Sequence, residues 1–436
     1  MAQDLLITGG PLWVGPGKFW PQGAVAAVDG VITYAGPADG APTPPQAEVI
    51  LAQGGLIIPG LVNAHCHGAM VLFRGLADDL PLNVWLQEYM FPAEARWVSE
   101  EMVELCSRLA AAEMLLSGTT TVGDSYFCLD GAARAYASAG IRAALYQGVI
   151  DFPAPGVPDP ADNLATARRF VERWKGESPL LSPGVFAHST YTCSEATLRG
   201  VAGLAAELGC LWHTHLAESA GELEGSIEAN GCSPTAYLEK LGLLESLDTA
   251  VHCVWLQPGE EELLARREVA VAACPGSNSK LGSGWADAPS LLAAGVKVGL
   301  GTDGAASNNN LDLLEEVGLA ARLAKVKTKD PAALPAEAAL DLALSGGAAC
   351  LGLSGVVGRL APGYACDAVV MDLTAPRLTP CFDAASHLVY AATGGNVRHV
   401  VVDGRQVVNR GELLTMDVDE VMAKVRELAA KVGGPA

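Results

Sequence analysis

An α/β chain, built as a (β/α)8 TIM-like barrel with a small composite β-sandwich domain made from both termini, is the architecture this sequence predicts. Three observations carry that expectation. From about Leu61 to Thr302, eight short apolar runs alternate with longer helical patterns, the signature of parallel strands joined by crossover helices. The flanks differ: they hold Asp-Gly turns between apolar runs, and neither flank alone has enough strands for its own core. A length of 436 residues also exceeds what one hydrophobic core usually serves. The division that follows is 1–58 for the first part of the small β domain, 59–357 for the barrel, and 358–436 for the second part of the β domain plus a terminal helix.

Before the barrel, Ala24 to Ala35 holds Asp29-Gly30 between apolar runs and reads as a β-hairpin. The barrel strands follow as Leu61 to Ala64, Thr119 to Val122, Arg142 to Tyr146, Gly184 to Ala187, Leu211 to His213, Ala250 to Cys253, Val269 to Ala273 and Val296 to Leu300. Among the helices between them, Ser99 to Leu116 opens on a serine cap with Glu100 and Glu101 in its first turn, and Ser194 to Leu208 ends at Gly209. Helical patterns continue at Asn310 to Ala324 and Pro335 to Cys350. A second hairpin is expected at Val400 to Val408 around Asp403-Gly404. The spacing of Val421, Val425 and Leu428 makes Asp417 to Lys431 an amphipathic helix packed on the outside.

Composition narrows the partners. Half the residues are hydrophobic and 18% are charged, so the chain is expected to fold nearly throughout. The net charge of −21 would repel a phosphate backbone and would not attract an anionic membrane surface, which argues against nucleic acid and membrane as partners. Met1 to Gly10 carries no basic start, and no stretch approaches about 18 uninterrupted apolar residues, so a cytoplasmic protein is expected. Its 11 cysteines lack paired CxxC spacing and read as reduced, buried small hydrophobes.

The sharpest local feature is Asn63-Ala64-His65-Cys66-His67-Gly68 at the end of the first barrel strand. A period of two puts His65 and His67 on one side, at the catalytic face of such a barrel. Alone, this pair would fit two structural histidines near a turn almost as well. Three further signals fall at other strand ends: His213 and His215 followed by Glu218 after the fifth, His252 in the sixth, and Asp303 after the eighth. With His188 at the fourth strand end, six of the eight histidines gather at strand ends, where packed or surface histidines would scatter. Three neutral imidazoles and a carboxylate suit a borderline divalent ion with one position left for water. The set assigned is His65, His67, His215 and Asp303. His213 shares the side of His215 but sits one step deeper, so it is expected to be packed. His252 is placed near the water rather than among the ligands.

The ordered set HxH, HxHxxE, His and Thr-Asp resembles the amidohydrolase superfamily along nearly the whole chain, and within it the S-adenosylhomocysteine and methylthioadenosine deaminases of the TRZ/ATZ type. The stretches that carry the closer likeness are Leu80 to Leu86, His188 to Cys193, Cys274 to Gly282 and Gly301 to Asn309. The resemblance implies one divalent ion, zinc first with Fe2+ or Mn2+ as alternatives. The sequence agrees, because binuclear members need a bridging lysine near the fourth strand end; His188 stands there and no lysine lies between Lys175 and Lys240. Trp85, Glu94 and His188 match substrate-contacting positions of the family, Glu94 as acceptor for two ribose hydroxyls and Trp85 as an aromatic face. Family members are often homo-oligomers.

The expected chemistry is deamination of a nucleoside ring carbon by an activated water. Asp303 is assigned as general base, Glu218 as proton donor to the adjacent ring nitrogen and as a substrate contact, and His252 as the group that orients the attacking oxygen. One departure bears on the substrate. Relatives that take homocysteine-bearing nucleosides hold the carboxylate with arginines after the third strand, and Ala143 to Ala167 contains no Arg or Lys, leaving only Arg74 or another loop to supply one. Methylthioadenosine, adenosine or 5′-deoxyadenosine is therefore expected ahead of S-adenosylhomocysteine. The rivals are deamination or dechlorination of guanine, a pterin or an s-triazine, a cyclic-amide hydrolase, and a catalytically silent scaffold. The last is disfavoured because every proposed ligand, base and acid is present.

Overall fold

The structure, a computed structural model, describes residues 4–433; residues 1–3 and 434–436, the outer ends of the two flanking segments, lie outside the described residues. Eight strands form one parallel sheet in strict chain order: β1 (Leu61–Cys66), β2 (Thr119–Tyr126), β3 (Arg142–Val149), β4 (Leu181–Ser189), β5 (Trp212–Leu216), β6 (Thr249–His252), β7 (Ala270–Ala273) and β8 (Val298–Leu300). After β8 the chain returns to β1, where the Asp303 N–H donates to the His65 carbonyl at 3.1 Å. That seam leaves no room for a side chain, since a Cβ on Gly301 would lie 2.7 Å from the His65 carbonyl oxygen.

Each of the eight expected runs overlaps a strand, but β2 and β3 continue past the apolar residues that announced them. Asp124 and Ser125 stay in register with Leu145 and Tyr146 although both are polar. Asp124 is satisfied there by the Tyr136 hydroxyl at 2.6 Å and the Gly68 N–H at 3.1 Å, so burial does not leave it unpaired. The inside of the barrel is filled by Val62, Ala64, Ala144, Tyr146, Phe186, Val251 and Ala272. It is a packed core rather than a pore. At the N-terminal end of β6, Thr249 donates to the Cys350 carbonyl at 2.8 Å and ties the segment that follows the barrel to its floor.

The helices begin and end where their caps require. Ser99 accepts from the Met102 N–H ahead of Glu100–Leu116, and Ser194 caps Glu195–Leu208, which stops at Gly209 in a left-handed conformation. The pattern from Pro335 to Cys350 is not one regular helix: Ala336–Asp341 passes through a π-helical turn, Leu342–Gly346, before Gly347–Cys350.

Strands from both ends of the chain share a second, nine-stranded mixed sheet. Leu56–Pro59 pairs antiparallel with Ala368–Met371 and joins the two halves. Both Asp-Gly pairs turn hairpins with positive φ at each residue, 49° and 78° at Asp29-Gly30 and 51° and 73° at Asp403-Gly404. Leu5, Ile7, Leu12, Val25, Ile57, Val370 and Val401 form its core. The terminal helix Val418–Val432 buries Val421 and Val425 and packs on Glu100–Leu116. Among the described residues, no helix is long and apolar enough to cross a membrane.

Candidate active site

The C-terminal ends of the barrel strands bring four donors to one point. The Nε2 atoms of His215 and His65 are 3.3 Å apart, and Asp303 Oδ1 lies 3.6 Å from His65 Nε2 and 3.2 Å from His67 Nε2. A tetrahedral shell of N and O donors at 2.0–2.2 Å from a divalent ion spaces its members about 3.3–3.6 Å apart. The observed separations are of that size, so the residues present fit such an ion. Protonation agrees. Burial drives His65 down to about 4 and His215 well below the usual histidine range, so both are neutral near pH 7. His67 Nδ1 donates to the Ser125 carbonyl, which leaves its Nε2 lone pair facing the cluster. Burial alone would raise Asp303, but its bond to His65 and the neighbouring imidazoles of His67 and His252 outweigh it and hold the carboxylate well below its ordinary value. Its other oxygen, Oδ2, accepts from Ser277 Oγ at 2.7 Å and Ser307 Oγ at 2.9 Å.

Backbone strain aims these groups. Ala217, His252 and Asp303 end β5, β6 and the segment after β8 with φ of 52°, 75° and 58°, a left-handed region that L residues enter at a cost on the order of 1–3 kcal/mol each. His213 is not part of the cluster. Its ring stacks on Tyr146 with centroids 3.8 Å apart, one layer down in the barrel.

Around the donors sit the other residues singled out in the sequence. Glu218 is buried, and desolvation together with the Asp303 charge pushes it up to about 8. His252 is lowered by burial; its Nε2 lies 3.8 Å from Glu218 Oε2 and its Nδ1 accepts from the Asn278 amide at 3.1 Å. Trp85 begins the π-helical turn Trp85–Met90, and Glu94 follows in the helix Phe91–Trp97, where Tyr126 Oη donates to Glu94 Oε1 at 2.7 Å. Burial raises Glu94, with the Tyr126 bond working against it. His188 is held by Thr192 Oγ1 at 2.9 Å and is pushed down to about 3 by burial and by His67 and His65.

One cavity is lined by His67, Trp85, Glu94, His188, His215, Glu218, His252 and Asp303, with His65 fully buried behind them. An outer chamber adjoins it through Leu82, Leu86, Phe91, Tyr191 and Leu281, and adds Trp255 and Glu222. Neither chamber is lined by Lys or Arg among the described residues. Arg74 is paired with Glu113 and the Asn309 carbonyl, and Lys280 with Asp78 and Asn309.

Residues 56–407 match the model of the amidohydrolase family. The chain belongs to the amidohydrolase family. A 5-methylthioadenosine/S-adenosylhomocysteine deaminase from Syntrophobacter fumaroxidans is 45% identical over 433 residues, covering 99% of this amidohydrolase and 98% of the relative. Among solved structures, an adenosine deaminase from Xanthomonas campestris with bound zinc superposes with a TM-score of 0.94 at 37% identity, over 99% of this chain and 98% of that one. Atrazine chlorohydrolase TrzN from Arthrobacter aurescens, complexed with zinc, shares the fold with a TM-score of 0.90 at 22% identity, over 98% and 100% of the two chains.

Several groups of this amidohydrolase site gave no separate signal in the sequence. Tyr126 is a strand-end aromatic whose hydroxyl meets Glu94 only after β2 and the helix Phe91–Trp97 are packed together. Ser277, Asn278 and Ser307 lie inside the stretches that carry the family likeness, yet nothing in their spacing ties them to His252 or Asp303. Glu222 accepts the Ala217 and Glu218 N–H groups at 3.1 and 2.7 Å and so fixes the turn that carries Glu218.

Proposed function

We propose that this amidohydrolase hydrolyses an adenine nucleoside to its inosine analogue and ammonia, favouring 5′-methylthioadenosine, adenosine or 5′-deoxyadenosine over S-adenosylhomocysteine. The observation that carries the reading is the meeting, in one cavity, of a divalent-metal donor set with the Tyr126-held carboxylate of Glu94 and the face of Trp85. The donor set suits hydrolysis, and the carboxylate and indole suit a sugar and a purine. The two deaminase relatives support the same substrate class.

His65, His67, His215 and Asp303 would hold one divalent ion, zinc first and Fe2+ or Mn2+ as alternatives. Bound there, it would supply a water activated for attack at neutral pH. Asp303 takes the proton of the attacking water and passes it to the departing amine. Glu218, pushed up to about 8, is protonated at neutral pH, donates to the ring nitrogen beside the reacting carbon, and recovers a proton from the added hydroxyl as the carbonyl forms and the amine departs. Because Asn278 donates to Nδ1 of the neutral His252, the imidazole proton sits on Nε2 and faces the charge that develops on the attacking oxygen. Trp85 and His188 orient the purine, and Glu94 accepts from the ribose hydroxyls.

The chambers support the 5′ preference. A small thioether or methyl group meets leucine and aromatic side chains, whereas a homocysteine carboxylate meets Glu222 and no cation. Arg74 is engaged with Glu113 and does not reach the lining. A reducing, cytoplasmic setting is supported by 11 cysteines of which none is paired.

The test is ammonia release by zinc-loaded protein from the nucleoside series and from guanine, a pterin and an s-triazine. We expect kcat/KM for methylthioadenosine to exceed that for S-adenosylhomocysteine by tenfold or more, and Glu94→Ala to raise KM for nucleosides only. A preference for S-adenosylhomocysteine overturns the ordering. Turnover confined to the sugar-free rings overturns the nucleoside reading.

A further inference from the structure

Beneath Asp303 lies a carboxylate that the chemistry above does not use. Glu316, in the helix Leu313–Thr328, is completely buried and, among the described residues, has no cation as a partner. Both of its oxygens accept from neutral donors: Oε2 from the Gly276 N–H at 2.8 Å and Oε1 from Asn308 Nδ2 at 2.9 Å. Asn308 Nδ2 also donates to the Thr302 carbonyl at 2.9 Å. A buried carboxylate without a counter-charge is costly, so its presence calls for a role that an apolar side chain could not fill.

The two contacts fall one residue from the two hydroxyls that hold Asp303. Gly276 precedes Ser277 in the turn Pro275–Lys280, and Asn308 follows Ser307 in the turn Ala305–Asn308. Both serines donate to Asp303 Oδ2, which leaves Oδ1 facing His65 and His67. The fit is tight. A Cβ on Gly276 would lie 2.2 Å from Glu316 Oε1 and 2.4 Å from Asn308 Oδ1.

We propose that Glu316 is a positioning residue: it clamps the two turns that carry Ser277 and Ser307, and through them fixes the orientation of the Asp303 carboxylate, one oxygen on the serine hydroxyls and the other toward the metal position. It rests on the reading of Asp303 as a metal donor. Glutamine has nearly the same shape but only one acceptor, so its amide nitrogen must face either the Gly276 N–H or the Asn308 amide, both donors. Turning Asn308 over to relieve this gives up its bond to Thr302. Glu316→Gln is therefore the diagnostic change, and Ser277→Ala with Ser307→Ala is its reference.

The experiment measures zinc affinity by competition with a chromogenic chelator, alongside kcat and KM for methylthioadenosine and the melting temperature. We expect E316Q to weaken zinc binding by ten- to a hundredfold, the usual effect of removing a partner that orients a ligand, and to lower kcat with little change in KM. Adding E316Q to the double serine variant should cost nothing further, because the effect passes through those hydroxyls. Unchanged zinc affinity in E316Q, or an effect that adds in full to that of the serine variants, overturns the clamp. If E316Q does not fold, Asn308→Ala opens the same clamp from its half-exposed side, and unchanged zinc affinity there overturns it equally. Asp303→Asn separates the two readings: if it binds zinc as wild type does, the donor assignment fails, and if it loses zinc while the clamp variants keep theirs, only the clamp fails.

Discussion

A free glutamate is charged at neutral pH, but Glu218 is enclosed with the Asp303 charge nearby and is pushed up to about 8, so it holds the proton that a ring nitrogen needs. Two carboxylates of one site are thereby set apart, since Asp303 stays ionised among imidazoles. Glu218→Gln keeps the shape and removes the transferable proton. We expect kcat to fall by roughly 10²–10⁴, with zinc content by elemental analysis unchanged; loss of zinc would instead make Glu218 part of the metal shell. The same scale shows where side-chain spacing stops informing. His213 and His215 share one side of β5, and the difference between a ring stacked on Tyr146 and a ring in the cluster is a single layer of depth.

At the scale of elements, strand ends and the helices that follow them carry buried groups that titrate in opposite senses. The imidazoles of His65 and His188, at the ends of β1 and β4, are driven down to about 4 and about 3, so they are neutral in the folded chain. The unfolded chain sheds its remaining histidine protons just above the ordinary value of 6.5, a smaller contribution per group of the opposite sign. Glu222, in the helix Ala220–Asn230, is raised by burial to about 7, and Glu218, just before that helix, to about 8. Each binds a proton in the folded chain that the unfolded chain has released above about pH 4.5. Their stabilisation is full below that pH and is lost as pH rises through 7 and 8. The melting temperature of chelator-treated protein should therefore fall between pH 6.5 and pH 8.5, and fall less in Glu222→Gln. A melting temperature that rises across this window would contradict the assignment of protonated carboxylates.

On the scale of the whole molecule, the nine-stranded sheet and the barrel are fastened by charge as well as by packing. Arg142, at the start of β3, is buried against Asp367 at 3.3 Å and Asp403 at 3.0 Å, residues that flank strands of the other sheet. Asp367 also accepts the Asp403 N–H at 2.7 Å. Replacing one partner strands the other, a loss of about 3–5 kcal/mol for a buried pair. Arg142→Ala should lower the melting temperature while zinc affinity and kcat stay near wild type, because the pair lies at the end of the barrel away from the metal position. A selective loss of kcat without loss of stability would show that the two ends are coupled.

What the sequence determined by itself was periodic or local. Alternating apolar runs placed the eight strands, serine and glycine caps placed the helix ends, and two Asp-Gly pairs placed the hairpins. The histidines at strand ends and Asp303 were legible for a related reason: a side chain's position along a strand fixes which end of the barrel it reaches. Tertiary structure decided what depends on distance across the barrel. The layer that separates His213 from His215, the hydroxyls of Ser277 and Ser307 on Asp303, the Tyr126 bond to Glu94 and the continuation of β2 through Asp124 all join residues remote in sequence or satisfied only by remote partners. No local pattern encodes such contacts, because they come into being only when separate elements close around the same buried space.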